Sequence, residues 1–201
     1  MAHIPDGLLS LPVSVAGGVA AAAALAFTAR RLDDDELPRV AVMAAVFFVA
    51  SLITVPVGPT SIHLLLAGLM GVIIGWATIP AVFVGLVLQA AFFGFGGFAA
   101  LGVNTLNIAL PGAMLGQAAN PFMQGSPLRA GVAAALAAAA SVAVTGLMVA
   151  ASLYFSDKAY TLSAKVMLAA YVPLLLAEAT LSGVALAFLA RVRPDMLGKN
   201  P

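Results

Sequence analysis

Two imidazoles occur in the 201 residues, His3 and His63, and there is no cysteine. They are therefore the strongest donors in the chain for a borderline transition metal. His3 lies in the opening stretch MAHIPDGLLS, where a terminal amine, backbone amide nitrogens and an imidazole follow one another within three residues. Such a peptide can close five- and six-membered chelate rings around one ion. Deprotonating a backbone amide near neutral pH needs a metal that gains much from a strong in-plane field. Square-planar nickel(II) or copper(II) qualifies, whereas zinc(II) and magnesium(II) do not. The expected site is planar and all-nitrogen, drawn from Met1 or Ala2, His3 and a converging His63. A histidine near a terminus is more often a solvated tail, so this expectation requires His3 and His63 to lie on one side of the fold.

Four polar residues are candidates to orient these ligands. Asp6 sits in IPDG, a Pro-Asp-Gly turn able to fold the first residues back over the rest of the chain. Gln89, Asn104 and Asn107 interrupt apolar runs, and the last two, three apart, share a helix face. Interhelical hydrogen bonding is the ordinary role of such groups; holding a ligand imidazole or the terminal segment is the sharper one. Glu178 reads as a structural or subunit-contact group. The eight methionines are scattered without an M-x-x-M cluster and read as packing residues. The ladder Ala67, Gly71, Gly75 suits either internal packing or docking of a partner.

The elements that must position these groups are helices in a bilayer. With 63% hydrophobic and 8% charged residues and a mean hydropathy of +1.10, the chain cannot cover a water-soluble globule. The net charge of +1 gives no sign of a nucleic-acid partner. Long Ala-rich runs without alternation exclude a transmembrane barrel. Apolar runs fall at Leu9 to Ala29, Val40 to Val57, Ser61 to Gly75, Ile79 to Phe95, Phe98 to Ala118, Leu128 to Phe155 and Leu162 to Ala190. An all-α, polytopic membrane protein of about seven transmembrane helices follows, with residues 1–201 forming a single transmembrane domain and residues 1–8 an N-terminal metal-binding segment that folds back into the bundle. The short third run is expected to lie deep in the bundle or to start below the membrane surface. FGFGGFAALG is read as either a tight turn or a distorted helical continuation. Pro59 should end one segment and Thr60 or Ser61 cap the next, putting His63 in the first turn of the third span. With the N-terminus outside, Arg30, Arg31, Arg39, Arg129, Arg191, Arg193 and Lys199 fall on the cytoplasmic side and Lys158 and Lys165 outside, as the positive-inside rule prefers.

The blocks HIPDG, PVGPTSIHLLLAGLMGVIIG, LVLQAAFFGFGGFAALGVNTLNIALPGAMLG and AEATLSGVALAFLARVRPDML, in this order, resemble the substrate-binding subunits of nickel and cobalt energy-coupling factor importers. The resemblance implies an extra N-terminal helix before a six-helix core, with the N-terminus inserted into that core from outside. It also implies a metal held by the terminal amine, the backbone and side chain of the early histidine, and a second histidine. These correspond here to the N-terminal residue, His3 and His63. Members of that family usually begin Met-His, whereas this chain reads Met-Ala-His. Removal of Met1 would restore histidine to the second position; retention of Met1 would make an X-X-His chelate and leave His63 displaced or axial.

No G-x-x-x-x-G-K-[ST] loop is present, so no ATP site is expected in this chain. The resemblance implies two cytoplasmic ATPase subunits, a transmembrane coupling subunit and often a small accessory membrane subunit, alongside membrane lipid. The expectation is a non-enzymatic subunit of a prokaryotic inner membrane that captures Ni2+ as its transported substrate, with Co2+ the close second. An ion-coupled secondary transporter would want an internal repeat and midplane carboxylates. An intramembrane metalloprotein with catalytic activity would want clustered His and carboxylates. Binding should weaken as pH falls, because protons compete for the same nitrogens.

Overall fold

The computed structural model of the chain describes residues 3–57 and 60–194. Among them lie seven α-helices: α1 (Leu11–Ala29), α2 (Leu37–Leu52), α3 (Ala67–Ile74), α4 (Thr78–Phe93), α5 (Leu101–Ala119), α6 (Pro127–Ser156) and α7 (Thr161–Val192). Proline stands in the first turn of α1, α2 and α6, where its missing N–H would have had no helical partner. α4 stops at Gly94, which takes φ 67° in the left-handed region. The FGFGG stretch is thus a loop, with Gly96 and Gly97 also at positive φ.

One segment departs from the expected helices. After α2 the chain forms an antiparallel hairpin, β1 (Thr54–Val57) with β2 (Thr60–His63), in which Thr54 faces His63 and Val57 faces Thr60. His63 therefore ends a strand and does not occupy a first helical turn, and Thr60 and Ser61 cap no helix. The β-branched residues Thr54, Val55, Val57, Thr60 and Ile62 favour the extended ribbon, and Pro56 is tolerated in a two-stranded one. Pro59 and Lys199 lie outside the described residues.

Four stretches are long and apolar enough to cross a membrane by length and composition: Leu11–Ala29, Ala67–Phe93, Pro127–Ser156 and Lys158–Val192. α2 has 16 residues, while α5 has 19 but carries Asn104, Asn107, Pro111 and Gln117. Large apolar side chains such as Leu11, Leu136, Phe155, Leu162 and Phe188 are well exposed around the bundle, a surface that only lipid or an apolar partner tolerates. The chain is a membrane protein.

α3 is short and deep, as expected: seven of its eight residues are buried. It runs beside the second half of α5 on a seam of small residues. A Cβ at Gly71 would overlap the Gly112 carbonyl, and one at Gly112 would overlap Ala67. Gly68 is pressed in the same way against Ala138 of α6. The Ala67–Gly71 part of the ladder is thus internal packing. Gly75, at φ 55° and ψ −129°, ends α3, and the chain reverses there, because Leu66 before α3 and Gly96 after α4 both belong to the histidine end. α1 stands at the edge, with only Ala21 and Thr28 buried, and meets α5 where Gly17 and Gly18 abut Val103 and Gly102.

Candidate metal centre

The N-terminal segment, the β1–β2 hairpin, the 94–100 loop and the α6–α7 connection meet at one end of the bundle. Ile4, 1% exposed, packs with Val103, Val149 and Leu153, and Leu8, Leu9 and Tyr160 close over them. This apolar anchor carries His3 inward.

Polar contacts then fix the segment's backbone. Ile4 N–H donates to Asn104 Oδ1 at 2.9 Å, and Asn104 Nδ2 donates back to Ile4 O at 3.0 Å, a two-point clamp from α5. Asp6 Oδ1 accepts from the Ala100 N–H at 3.0 Å, at the N-terminus of α5, where a negative charge is favoured. Glycine makes room for both. A Cβ at Gly97 would overlap the Asp6 carboxylate, and one at Gly96 would lie 3.2 Å from Asn104 Nδ2 and 3.3 Å from His3 Cβ.

The clamped segment places His3 against His63, with ring centroids 4.6 Å apart and planes 32° from parallel. Both are almost fully buried, at 2% and 3% exposure. His63 Nδ1 pairs with Leu64 O at 3.0 Å, but His63 Nε2 and both ring nitrogens of His3 have no hydrogen-bond partner among the described residues. Gln89 Oε1, beside them, is likewise unpartnered, while Gln89 Nε2 donates to Ser51 Oγ. The Gln89 side chain approaches His3 without closing a well-formed hydrogen bond. An unpaired buried polar atom costs about 1–3 kcal/mol, so several together mark a place built to receive something.

Burial, with His63 beside it, pushes the His3 imidazole from 6.5 down to about 3, and burial lowers His63 in the same direction. Both rings are thus neutral at physiological pH, the form that donates a lone pair to a metal. Among the described residues no group of three or more His, Cys, Asp or Glu gathers around an ion. Met1 and Ala2, which adjoin His3 in the sequence, lie outside the described residues.

Of the expected residues, the structure brings His3, His63, Asp6, Gln89 and Asn104 into one cluster. Asn107 stands apart: its Nδ2 donates to Ser152 Oγ on α6 at 3.3 Å, an interhelical bond. Glu178 is fully buried and accepts from the Leu65 and Leu66 N–H groups, so it holds the chain just after His63 and is no surface for a subunit. Sequence reasoning missed that contact, the Ser51 partner of Gln89 and the receptive Gly96–Gly97 pair. Only the glycine pair left a trace in the sequence, as a run too flexible for a helix.

The family described as the cobalt uptake substrate-specific transmembrane region, CbiM, matches residues 3–196. The chain belongs to this family. Among CbiM-like relatives, a cobalt transport protein of Sorangium cellulosum is 32% identical over 213 residues, covering 98% of this chain and 95% of that one. A protein of Haemophilus influenzae named for metal transport is 50% identical over 109 residues, 54% of this chain and 53% of its own length. A fused nickel transport protein of Rhodobacter capsulatus is 43% identical over 123 residues, 58% of this chain. The matched stretch spans only 35% of that longer protein. A crystal structure of a truncated transition metal transporter superposes with a TM-score of 0.74 at 25% identity, covering 94% of this chain and 98% of that one. The chain thus carries the transmembrane region that this family model describes, and it spans about half or less of the length of two of these relatives, the proteins of Haemophilus influenzae and Rhodobacter capsulatus.

Proposed function

We propose that this chain captures Ni2+, with Co2+ the alternative cargo, as the substrate-binding subunit of an ATP-driven energy-coupling factor importer. The observation that carries this reading is the juxtaposition of two buried, neutral imidazoles with unpartnered nitrogens, one of them held in place through the backbone of the N-terminal segment. His3 and His63 supply imidazole nitrogen, and Met1 or Ala2 supplies the amine and amide. Such a donor set suits a square plane and disfavours zinc, which prefers a tetrahedron. Asp6, Gln89 and Asn104 orient the ligands, and Asn107 ties α5 to α6.

All seven helical segments take part in crossing a prokaryotic inner membrane, α1 preceding a six-segment core. α3 rises only about 12 Å and completes its crossing with the extended chain before it. Arg30, Arg31, Arg39, Arg129, Arg191 and Arg193 lie at the end away from the histidines, and Lys158 and Lys165 at the histidine end. The positive-inside rule then puts the N-terminus and the metal outside and the arginines in the cytoplasm. Energy for uphill transport comes from two ATPase subunits through a transmembrane coupling subunit, with a small accessory membrane subunit as a further partner.

The test is metal content and visible absorption of the purified protein, with intact mass to identify the N-terminal residue, compared with His3→Ala and His63→Ala. One equivalent of nickel with a d-d band that is lost in the His3 variant is the expected result. Cobalt in its place would change the cargo and keep the site. No bound transition metal under any loading condition would overturn the reading. Uptake in cells that depends on co-expressed ATPase and coupling subunits is the expected result for the importer role, and uptake by this chain alone would count against it.

A further inference from the structure

Glu178 is the only acidic residue within any of the seven helices, and it has no place in the ligand set. Its side chain is 0% exposed. Oε1 accepts from the Leu65 N–H and, at 2.9 Å, from the Leu66 N–H, while Oε2 lies 3.1 Å from Leu66 N. Leu66 is the one non-glycine residue at positive φ among those described, at 51°, so this carboxylate holds the chain through a turn it does not adopt readily. The turn begins one residue after His63.

The peptide between Leu64 and Leu65 is engaged at both ends. Its N–H donates to Glu178, and its carbonyl lies 3.0 Å from His63 Nδ1. A carbonyl can only accept, so in the neutral ring Nδ1 carries the proton and Nε2 keeps the lone pair. Nε2 is the atom left without a partner beside His3. We propose that Glu178 is a positioning residue for His63, acting through the Leu64–Leu65 peptide to fix the imidazole orientation and the tautomer that presents Nε2 to the metal. Metal-bound histidines generally donate their second N–H to a carboxylate or carbonyl, which sets tautomer and basicity. Here the two are joined in series: the carboxylate polarises an amide whose carbonyl holds the ring, and hydrogen bonds in such a chain strengthen one another. The affinity consequence rests on the nickel reading above; the tautomer does not.

The experiment uses full-length protein in lipid nanodiscs with 15N-labelled histidine. Side-chain 15N shifts are read without metal, followed by nickel titration of wild type, Glu178→Gln and Glu178→Ala. Gln keeps an acceptor oxygen for both N–H groups and removes the charge; Ala removes the acceptor. Expected in wild type is a single His63 species, protonated at Nδ1. Gln should keep that tautomer and lose a few-fold in nickel affinity. Ala should mix the two tautomers and lose about 10–100-fold, the range typical of outer partners of a metal ligand. Tautomer and affinity in both variants matching wild type would overturn the proposal, as would a folded Gln variant as damaged as Ala. If Ala does not fold, Gln decides: lowered affinity with a shifted Nδ1 resonance at unchanged melting temperature supports the role, and no change in either overturns it. Should wild type bind no nickel while the tautomer still responds to these substitutions, the nickel reading fails and the positioning role stands.

Discussion

Around His3 and His63 the protein uses hydrogen bonds to place backbone and leaves ring nitrogens over, whereas where α3 meets the second half of α5 the contact is between small residues. In the first region Asn104, Asp6 and Glu178 each hold a stretch of main chain: Ile4, the Ala100 N–H, and the Leu65 and Leu66 N–H groups. In the second, Gly71, Gly112 and Gly116 bring backbones into contact with no room for a Cβ. In a bilayer, lipid competes with apolar side chains as well as another helix does, so close small-residue packing is what gives a seam its preference. A metal site needs directed donors, and the histidine end supplies unpartnered ring nitrogens. The two regions should therefore respond differently to substitution, one through folding and the other through binding.

The largest effect is expected at the seam. Gly71→Leu would drive a side chain into the Gly112 carbonyl, a backbone atom that cannot swing aside, and should cost about 3 kcal/mol or more, at or beyond the top of the usual overpacking range. The measurement is the yield and melting temperature of detergent-purified protein, and whatever remains folded should bind nickel normally. Next comes His3→Ala, expected to lower nickel affinity by more than about 100-fold, beyond the effect typical of outer partners, with little change in melting temperature. A seam variant that lost affinity without losing stability, or a His3 variant that did the reverse, would break the comparison.

Asn104→Ala removes both halves of the Ile4 clamp and should weaken nickel binding about 10–100-fold, read by competition with a metal indicator. The smallest substitution effect belongs to Asp6→Asn. It keeps an acceptor for the Ala100 N–H but loses the charge at the N-terminus of α5, for about threefold in affinity.

Proton linkage sharpens the same contrast. His3 has its pKa lowered to about 3 and His63 is lowered as well, so neither ring releases a proton to the metal in the physiological range. Affinity should still fall with falling pH, because the proposed ligand set includes an amine and an amide that must give up protons, and burial of both rings should keep the slope of log affinity against pH below that of four titrating nitrogens, read by nickel titration across pH. Metal-free stability follows the opposite accounting. The unfolded imidazoles take up protons as pH drops below 6.5 while the buried rings do not, so docking of the N-terminal segment should weaken progressively from pH 6.5 toward 3.

Much of this was legible in the amino-acid sequence because a bilayer imposes long apolar runs, and because a chain with two histidines and no cysteine has few ways to hold a metal. Proline in the first turn of α1, α2 and α6 and Gly94 at the end of α4 follow the ordinary rules for helix starts and stops. The 53–63 segment misled because Thr60 and Ser61 cap helices as readily as they pair in strands, and two short β-branched runs resemble the start of a buried helix. Pairing depends on a partner strand, which local pattern does not reveal. Asn104 and Asn107 looked equivalent by spacing, yet one clamps Ile4 and the other meets Ser152. Glu178 and Leu65 lie 113 residues apart, and nothing local to either announces the other.

The clamp between Ile4 and Asn104 joins residues 100 positions apart. Residues 3–6 are made long before the groups that hold them, Ala100 and Asn104 at the start of α5 and Val149 and Leu153 near the end of α6, so docking of this segment must wait for both helices. A chain halted before α6 would hold both histidines and lack the apolar anchor that carries His3 inward, so the pairing of the two rings is reserved for protein in which most helices have already been made.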